Sequence, residues 1–236
     1  MYLSRVQLNP ARFSAKQLIA SPCRMHAAVE HAFPPDTVRN GEAGRVLWRI
    51  DHNEQTHSTM LYVASPETPD FTHIIEQAGW PSRCQWETKE YDKLLDRLAS
   101  GQQWNFRLRA NPVRKAAHDR AEHSRRSPEQ IVGKRQAYVT VSQQIDWLLR
   151  RADDNGFRVL DEESGPALRV TQRQREQFNR GNAKVTLSTA VFDGCLQITD
   201  VERFRHALCH GIGPAKGFGC GLMTIAPMTT PLTQRQ

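Results

Sequence analysis

Strands and helices are predicted in an order that leaves few folds open. Residues 2–8 alternate apolar and polar side chains up to Asn9-Pro10, which predicts an opening strand. After a linker, a helix is predicted from Pro22, with Ser21 as its cap and Pro34-Pro35 as its stop. A βαββαβ order is then completed by strands 45–50 and 60–64, a helix at 71–78 and a last short strand at 84–86 or beyond.

The same order recurs less clearly after about residue 100. Asp193-Gly194 predicts a hairpin turn between strands 184–192 and 195–199, and Asp200 predicts the cap of a helix that ends near His210. The remaining predicted elements are strand 104–109, helix 142–154, strands 157–160 and 168–170, and strand 222–226. We therefore expect an α+β fold of two tandem ferredoxin-like domains, residues 1–98 and 99–236. RNA-recognition modules share this topology, but a fold does not establish a function.

Positive charge is concentrated in two segments. The chain carries a formal net charge of +7, yet residues 105–135 hold nine Lys/Arg against three Asp/Glu, and residues 168–184 hold five against one. The rest is slightly acidic, so this pattern favours a groove that follows phosphates over a merely solvated face. Residues 111–135 are expected to form a long basic loop.

The five cysteines are an odd number with no C-x-x-C pair, and no apolar signal segment precedes them. We expect reduced thiols and a cytoplasmic protein. No apolar run approaches the roughly 20 residues of a membrane helix, so no membrane partner is expected.

His26 is the first candidate for chemistry. It lies one turn into the helix that begins at Pro22, beside the positive end of the helix dipole, where a phosphate is attracted. An imidazole there can deprotonate a ribose 2′-hydroxyl or protonate a departing 5′-oxygen. Cys23 and Glu30 should share its face, whereas His31 is turned by about 140°. Position alone favours an exposed histidine without a task.

Glycine and arginine mark further candidate contacts. Five glycines fall within residues 211–221, where backbone amides can approach phosphates. The loop matches neither a Walker loop nor a dinucleotide fingerprint, so no nucleotide cofactor is expected. Arg107 and Arg109 share one strand face, and five more cations crowd a predicted hairpin at 169–184. His206, Cys209 and His210 lack a fourth zinc ligand, so packing roles are favoured for them.

Four stretches together resemble one known family. They are Met-Tyr-Leu-Ser-Arg-Val at the start, Met25-His26 ahead of Ala32-Phe33-Pro34, Phe-Arg-Leu-Arg-Ala-Asn-Pro at 106–112, and the glycine loop 211–221 running on to Ala226-Pro227. The set is similar to the CasE family, the type I-E CRISPR endoribonucleases that trim precursor CRISPR RNA. The resemblance covers residues 1–227.

This resemblance implies two ferredoxin-like domains that hold the stem-loop of a CRISPR repeat and cut at the 3′ base of its stem. It implies that His26 is catalytic without a metal or other cofactor, and that 2′-hydroxyl attack leaves a 2′,3′-cyclic phosphate and a 5′-hydroxyl. The protein would keep the mature crRNA and join the other Cascade subunits, with its basic hairpin in the major groove of the stem. The expected RNA contacts are Arg24, Arg107, Arg109, Arg169, Arg173, Arg175, Arg180, Lys184, Lys216, Gly213, Gly217 and Gly219.

The sequence departs from some family members near His26. Cys23 stands where a tyrosine occurs, and His31 stands at a position that is basic in relatives. His31 can still steady a charged phosphorane if it is protonated. Two alternatives remain: a scaffold that binds the hairpin without cutting it, with Cys23 marking lost activity, and a metal-dependent nuclease, which would need clustered carboxylates.

Overall fold

The computed structural model describes residues 1–115, 135–163, 165–181 and 183–228. Residues 116–134, most of the predicted basic loop, lie outside this range, as does the side chain of Arg180. Among the described residues, no helix has the length and apolar character needed to cross a membrane.

The first half of the chain folds into a four-stranded antiparallel sheet covered by helices. Its strand order, β4-β5-β1-β6, places the first and third main strands at the centre, which is the ferredoxin-like arrangement. The elements are β1 (Tyr2–Leu8), α1 (Phe13–Ala20), α2 (Pro22–Glu30), β2 (Asn40–Gly41), β3 (Gly44–Arg45), β4 (Leu47–Asn53), β5 (Ser58–Ser65), α3 (Thr72–Ala78), β6 (Glu87–Glu90) and α4 (Asp92–Leu95).

The second half repeats this plan, with the strand order β10-β14-β7-β15 and β13 pairing along the rest of β14. The elements are β7 (Gln103–Ala110), β8 (Val113–Lys115), β9 (Arg135–Ala137), α5 (Val141–Ala152), a 3₁₀ turn (Asp153–Asn155), β10 (Phe157–Val159), β11 (Asp161–Glu162), β12 (Gly165–Pro166), β13 (Leu168–Arg180), β14 (Ala183–Ile198), α6 (Val201–His210), a 3₁₀ turn (Lys216–Phe218) and β15 (Met223–Pro227). The expected pair of ferredoxin-like units is confirmed. The boundary between residues 98 and 99 falls between α4 and β7 and stays a prediction.

The predicted turn at Asp193-Gly194 is wrong. Both residues lie inside the continuous strand β14, where the Asp193 carboxylate accepts hydrogen bonds from Arg107 and Thr171. A Cβ at Gly194 would lie 2.4 Å from the carbonyl oxygen of Ala167, so the glycine is needed for close strand packing. The actual turn of this hairpin follows Arg180, and β13 is therefore much longer than the strand predicted at 168–170.

Two helix predictions also need correction. The linker predicted before Ser21 contains α1, a short helix that buries only Ala15 and Leu18 and so leaves a weak apolar pattern. The helix that carries His26 ends at Glu30 rather than near Phe33. Phe33 is buried just beyond the helix end, and its burial in the core there explains the misleading apolar spacing.

The two halves are joined by apolar packing and by one buried arginine. A single core cluster contains Leu47 and Tyr91 from the first half together with the core of the second. Arg49, whose side chain is 2% exposed, donates hydrogen bonds to Asp51 in its own strand. It also donates to the carbonyl oxygens of Arg107 and Leu222 and to the Thr224 hydroxyl, at 2.8 to 3.0 Å. These bonds hold β4 against β7 and β15.

Candidate functional site

His26 lies where the two halves of the chain meet. Ser21 caps α2 by accepting a hydrogen bond from the Arg24 amide, and Pro22 opens the first turn, as predicted. The imidazole is 41% exposed. It packs against the 3₁₀ turn of the glycine loop, because a Cβ at Gly217 would lie 3.5 Å from its Nε2. A helix of the first half and a loop of the second thus form opposite sides of this site.

Glu30 and Arg39 flank the other ring nitrogen. Glu30 Oε1 lies 3.7 Å from His26 Nδ1, and Glu30 Oε2 forms an ion pair with Arg39 Nε at 2.7 Å. The Arg39 guanidinium also donates to carbonyl oxygens at and after the end of α2, including those of Pro34 and Thr37. His26 Nδ1 is buried and has no hydrogen-bond partner among the described residues. The Glu30 carboxylate is therefore held close enough to accept a hydrogen bond from Nδ1–H after a small movement of the ring.

Cys23 and His31 lie in different surroundings. The Cys23 thiol is 3.8 Å from the carbonyl oxygen of Asn179, near the end of β13, so it contacts the basic hairpin. His31 is exposed at the C-terminal cap of α2 and lines a surface depression with Arg24 and His73. Their roles in catalysis stay predictions, as does RNA contact by Arg24.

The glycine loop is shaped by packing against aromatic rings. Gly213 lies against Trp147 and Gly219 against Trp48, and Phe218 packs on Phe178 of β13 with ring centroids 4.9 Å apart. Lys216 begins the 3₁₀ turn, and its pKa is lowered by burial and by Arg45 nearby. The loop is thereby fixed against both β4 and the hairpin. RNA contacts by Lys216 and by the three glycines remain predictions.

Two substitutions separate the roles of these glycines. Gly219 has a φ of +75°, and a Cβ there would lie 2.6 Å from the Trp48 ring, so Gly219→Ala is expected to lower the free energy of unfolding by about 1–3 kcal/mol. At Gly217 the three atoms nearest to a methyl would all belong to the His26 ring, at ordinary contact distance. Gly217→Ala should keep its stability and slow cleavage by crowding Nε2. Denaturation curves measure the stability of both variants, and single-turnover rates measure their cleavage. If both substitutions lower the free energy of unfolding equally, the distinction between the two glycines is wrong.

The predicted arginine contacts divide between two faces of the second sheet. Strand register places Arg107 and Arg109 on the face turned towards the first half of the chain. The Arg107 guanidinium forms an ion pair with Asp193 at 2.6 Å, and this hydrogen-bonded contact raises the pKa of Arg107. Arg109 forms an ion pair with Glu176 and donates hydrogen bonds to the carbonyl oxygens of Phe218 and Gly219. Both brace the protein, and their RNA contacts stay predictions.

Arg173 and Arg175 lie on the opposite face, because an irregularity in β13 between Val170 and Gln172 shifts the register. They line a cleft of about 760 Å³ that runs to Phe218 in the glycine loop. Arg169 and Lys184 are exposed on the same hairpin. Within the described residues, none of these four cations has a carboxylate partner within 4.0 Å.

The His206, Cys209 and His210 group has packing contacts. The two imidazoles stack at 4.1 Å, His210 Nε2 is 3.1 Å from the carbonyl oxygen of Gly41, and burial raises the pKa of the Cys209 thiol. In the part of the chain that the structure describes, no three potential ligands converge to hold a metal ion.

Comparison with known proteins identifies the family. Residues 1–227 match the family described as CRISPR associated protein. The chain belongs to this family. It is 29% identical over 233 residues to the CRISPR-associated endoribonuclease Cse3 of Thermus thermophilus, covering 96% of this chain and 100% of the relative. It is also 29% identical over 233 residues to the Cascade subunit CasE of Escherichia coli, covering 97% and 100%.

A solved structure is similar over the same length. Thermus thermophilus Cse3, bound to an RNA representing a pre-cleavage complex, has a TM-score of 0.75 and 29% identity, covering 96% of this chain and 98% of that one. The resemblance to CasE that the motifs indicated is therefore confirmed. It holds although this member of the CRISPR-associated family has Cys23 and His31 beside His26.

Sequence reasoning missed two charged groups of this family member's site. Arg39 follows the end of α2 in a segment without helical or strand pattern, and only the fold brings it to Glu30. Glu176 is the single acidic residue of the basic hairpin segment. That isolation was the one available signal for its pairing with Arg109.

Proposed function

We propose that this protein is an endoribonuclease that processes CRISPR RNA. It would bind the stem-loop of the repeat in precursor CRISPR RNA, cut at the 3′ base of the stem, keep the mature crRNA and act within Cascade. The observation that carries the proposal is His26, exposed between α2 and the glycine loop, whose Phe218 lines the cation-lined cleft. The names of the relatives, one bound to a pre-cleavage RNA and one a Cascade subunit, support it.

The RNA stem is assigned to the hairpin formed by β13 and β14. Arg173 and Arg175 line the cleft, and Lys184 is exposed next to Val185, which also lines it. Arg169 is exposed further along β13, opposite Asp193, so all four charges are available for phosphates. A backbone bound along this cleft would reach Phe218, next to the residue that packs on His26. The excess positive charge of the hairpin segment suits this path.

The reaction assigned to the site is a transesterification. The ribose 2′-oxygen attacks phosphorus, the bond from phosphorus to the 5′-oxygen breaks, and a 2′,3′-cyclic phosphate and a 5′-hydroxyl result. His26 Nε2 would take the 2′ proton or deliver one to the 5′-oxygen. Glu30, held by Arg39, would orient the ring from the Nδ1 side.

Metal independence and the role of the 2′-hydroxyl as nucleophile are tested together. Because the imidazole supplies the proton transfer, cleavage of an end-labelled repeat hairpin in excess EDTA is expected to stay within about twofold of the rate with magnesium. A 2′-deoxy sugar at the scissile nucleotide should abolish cutting while the RNA still binds, because the nucleophile is missing. Loss of cleavage in EDTA, rescued by added metal, would contradict the mechanism.

A second candidate function is a scaffold that holds crRNA without cutting it. Cys23 favours this reading, because a thiol stands where some relatives have a tyrosine, and it faces the hairpin backbone at Asn179 rather than a second proton-transfer group. Tight hairpin binding with no cleavage by the wild-type protein would select this function over the nuclease.

The hairpin cations are tested by salt dependence. Arg173→Ala is expected to weaken repeat binding and to reduce the slope of log affinity against log salt by about 0.9, the share of one phosphate contact. Arg203→Ala is the matched control, because Arg203 is exposed on α6 and already paired with Asp200 at 3.4 Å. Binding titrations at four salt concentrations measure both, and equal slopes for Arg173→Ala and wild type would remove this contact.

A further inference from the structure

A small pocket lies between the two halves of the chain and shares one lining residue, Gln174, with the cation-lined cleft. Its volume is about 200 Å³. One wall is apolar and comes from the first half, with Trp48 and Ile50 on alternate positions of β4. The other wall is polar and comes from alternate positions of β13, which are Gln172, Gln174 and Glu176. The pocket is therefore amphipathic, with side chains fixed on two facing strands.

Two buried polar atoms in these walls lack partners. Trp48 is 3% exposed, and its Nε1–H has no hydrogen-bond acceptor among the described residues. Glu176 Oε2 likewise has no donor there, while Oε1 is held by Arg109. Burying such groups unpaired is unfavourable, so a ligand that brings both an acceptor and a donor would be stabilised.

We infer that this pocket receives one unpaired nucleobase of the bound RNA. A base has a flat face for the apolar wall and Trp48, and its edge carries both acceptors and donors for Nε1–H, Glu176 and the two glutamine amides. A phosphate suits the pocket poorly, because the one arginine in its lining, Arg109, is already paired with Glu176, and the unpartnered Oε2 of that carboxylate would repel it. The inference rests on the proposed function, since it requires RNA at this site.

The position of the pocket assigns the base to a nucleotide next to the cut. Pro22, the first residue of α2, lines the pocket, and His26 follows four residues later, about 6 Å along the helix axis. Arg109 also lines it and donates to the carbonyls of Phe218 and Gly219, the two residues that follow Gly217, which packs on His26. A base seated here would fix the sugar-phosphate backbone beside the imidazole.

The test is an abasic scan combined with pocket variants. Repeat hairpins carrying one abasic site at each of the three nucleotides on either side of the cut are compared with intact RNA in binding and single-turnover cleavage. For wild-type protein, an abasic site at one position is expected to lower the affinity for the hairpin by about 5- to 150-fold, the effect of one lost base–aromatic contact. Gln174→Ala and Trp48→Phe should weaken the binding of intact RNA. An abasic site at that position should then cause these variants little further loss of affinity.

Gln177→Ala is the matched control, because Gln177 is exposed on the same strand but faces away from the pocket. It should keep the wild-type sensitivity to the abasic site. Gln174→Ala alters an exposed side chain and so tests the pocket even if Trp48→Phe fails to fold. If wild type cleaves all abasic hairpins like intact RNA, or Gln174→Ala keeps the full abasic penalty, the pocket assignment is overturned while the nuclease function stands. Failure of wild type to bind intact RNA would overturn both.

Discussion

His26→Ala is expected to lower the single-turnover cleavage rate of a repeat hairpin by about 10²- to 10⁴-fold, the usual range for one general acid or base. The affinity for the RNA hairpin should stay within a few fold of wild type, because the cations assigned to RNA binding lie on the β13–β14 hairpin and in its cleft, whereas His26 lies on α2. The measurement is a rate at saturating protein with a separate binding titration. A loss confined to the rate identifies a group that acts in the transition state.

Glu30→Gln is the informative companion to this variant. It keeps the shape of the side chain but removes the charge that lies 3.7 Å from His26 Nδ1 and pairs with Arg39. We expect a smaller rate loss than for His26→Ala, because the imidazole is still present but lacks the carboxylate that orients it from the Nδ1 side. A His26→Ala protein that cuts at the wild-type rate would remove His26 from the mechanism and leave Glu30 without a function there.

The parts of the fold that could be predicted are those set by local pattern. Alternation in β1, the Ser21-Pro22 start of α2 and the Asp200 cap of α6 each depend on nearby residues, and each prediction is confirmed. Asp193-Gly194 was misread because the same dipeptide suits a turn or a crowded strand. Only the carbonyl of Ala167 and the guanidinium of Arg107 decide between them, and both come from distant segments.

The candidate site shows the same division. His26 and Glu30 share a helix face by spacing alone, so their proximity could be predicted. The contact between His26 and Gly217, the pairing of Arg109 with Glu176, and the separation of Arg173 from Arg107 could not. They depend on how the two sheets face each other and on one register shift in β13, neither of which a local pattern encodes.

Arg49→Ala is expected to lower the free energy of unfolding by about 3–5 kcal/mol, because it removes one partner of a buried ion pair. Among the described residues, the substitution leaves the Asp51 carboxylate, which is 15% exposed, with Arg107 at 3.8 Å as its one ion-pair partner. It also strips the hydrogen bonds that the carbonyl oxygens of Arg107 and Leu222 receive across the two sheets. Denaturant unfolding curves measure the change.

Arg158→Ala is the matched control for this loss, because Arg158 is an exposed strand arginine bonded to Gln197 and should change stability by no more than about 0.5 kcal/mol. Cleavage gives a second readout, since His26 belongs to one sheet unit and Gly217 to the other. Arg49→Ala protein that remains folded is expected to cut more slowly than wild type because the two sides of the site are less firmly aligned. If Arg49→Ala unfolds at the same denaturant concentration as Arg158→Ala, the buried arginine contributes little to holding the two sheets together.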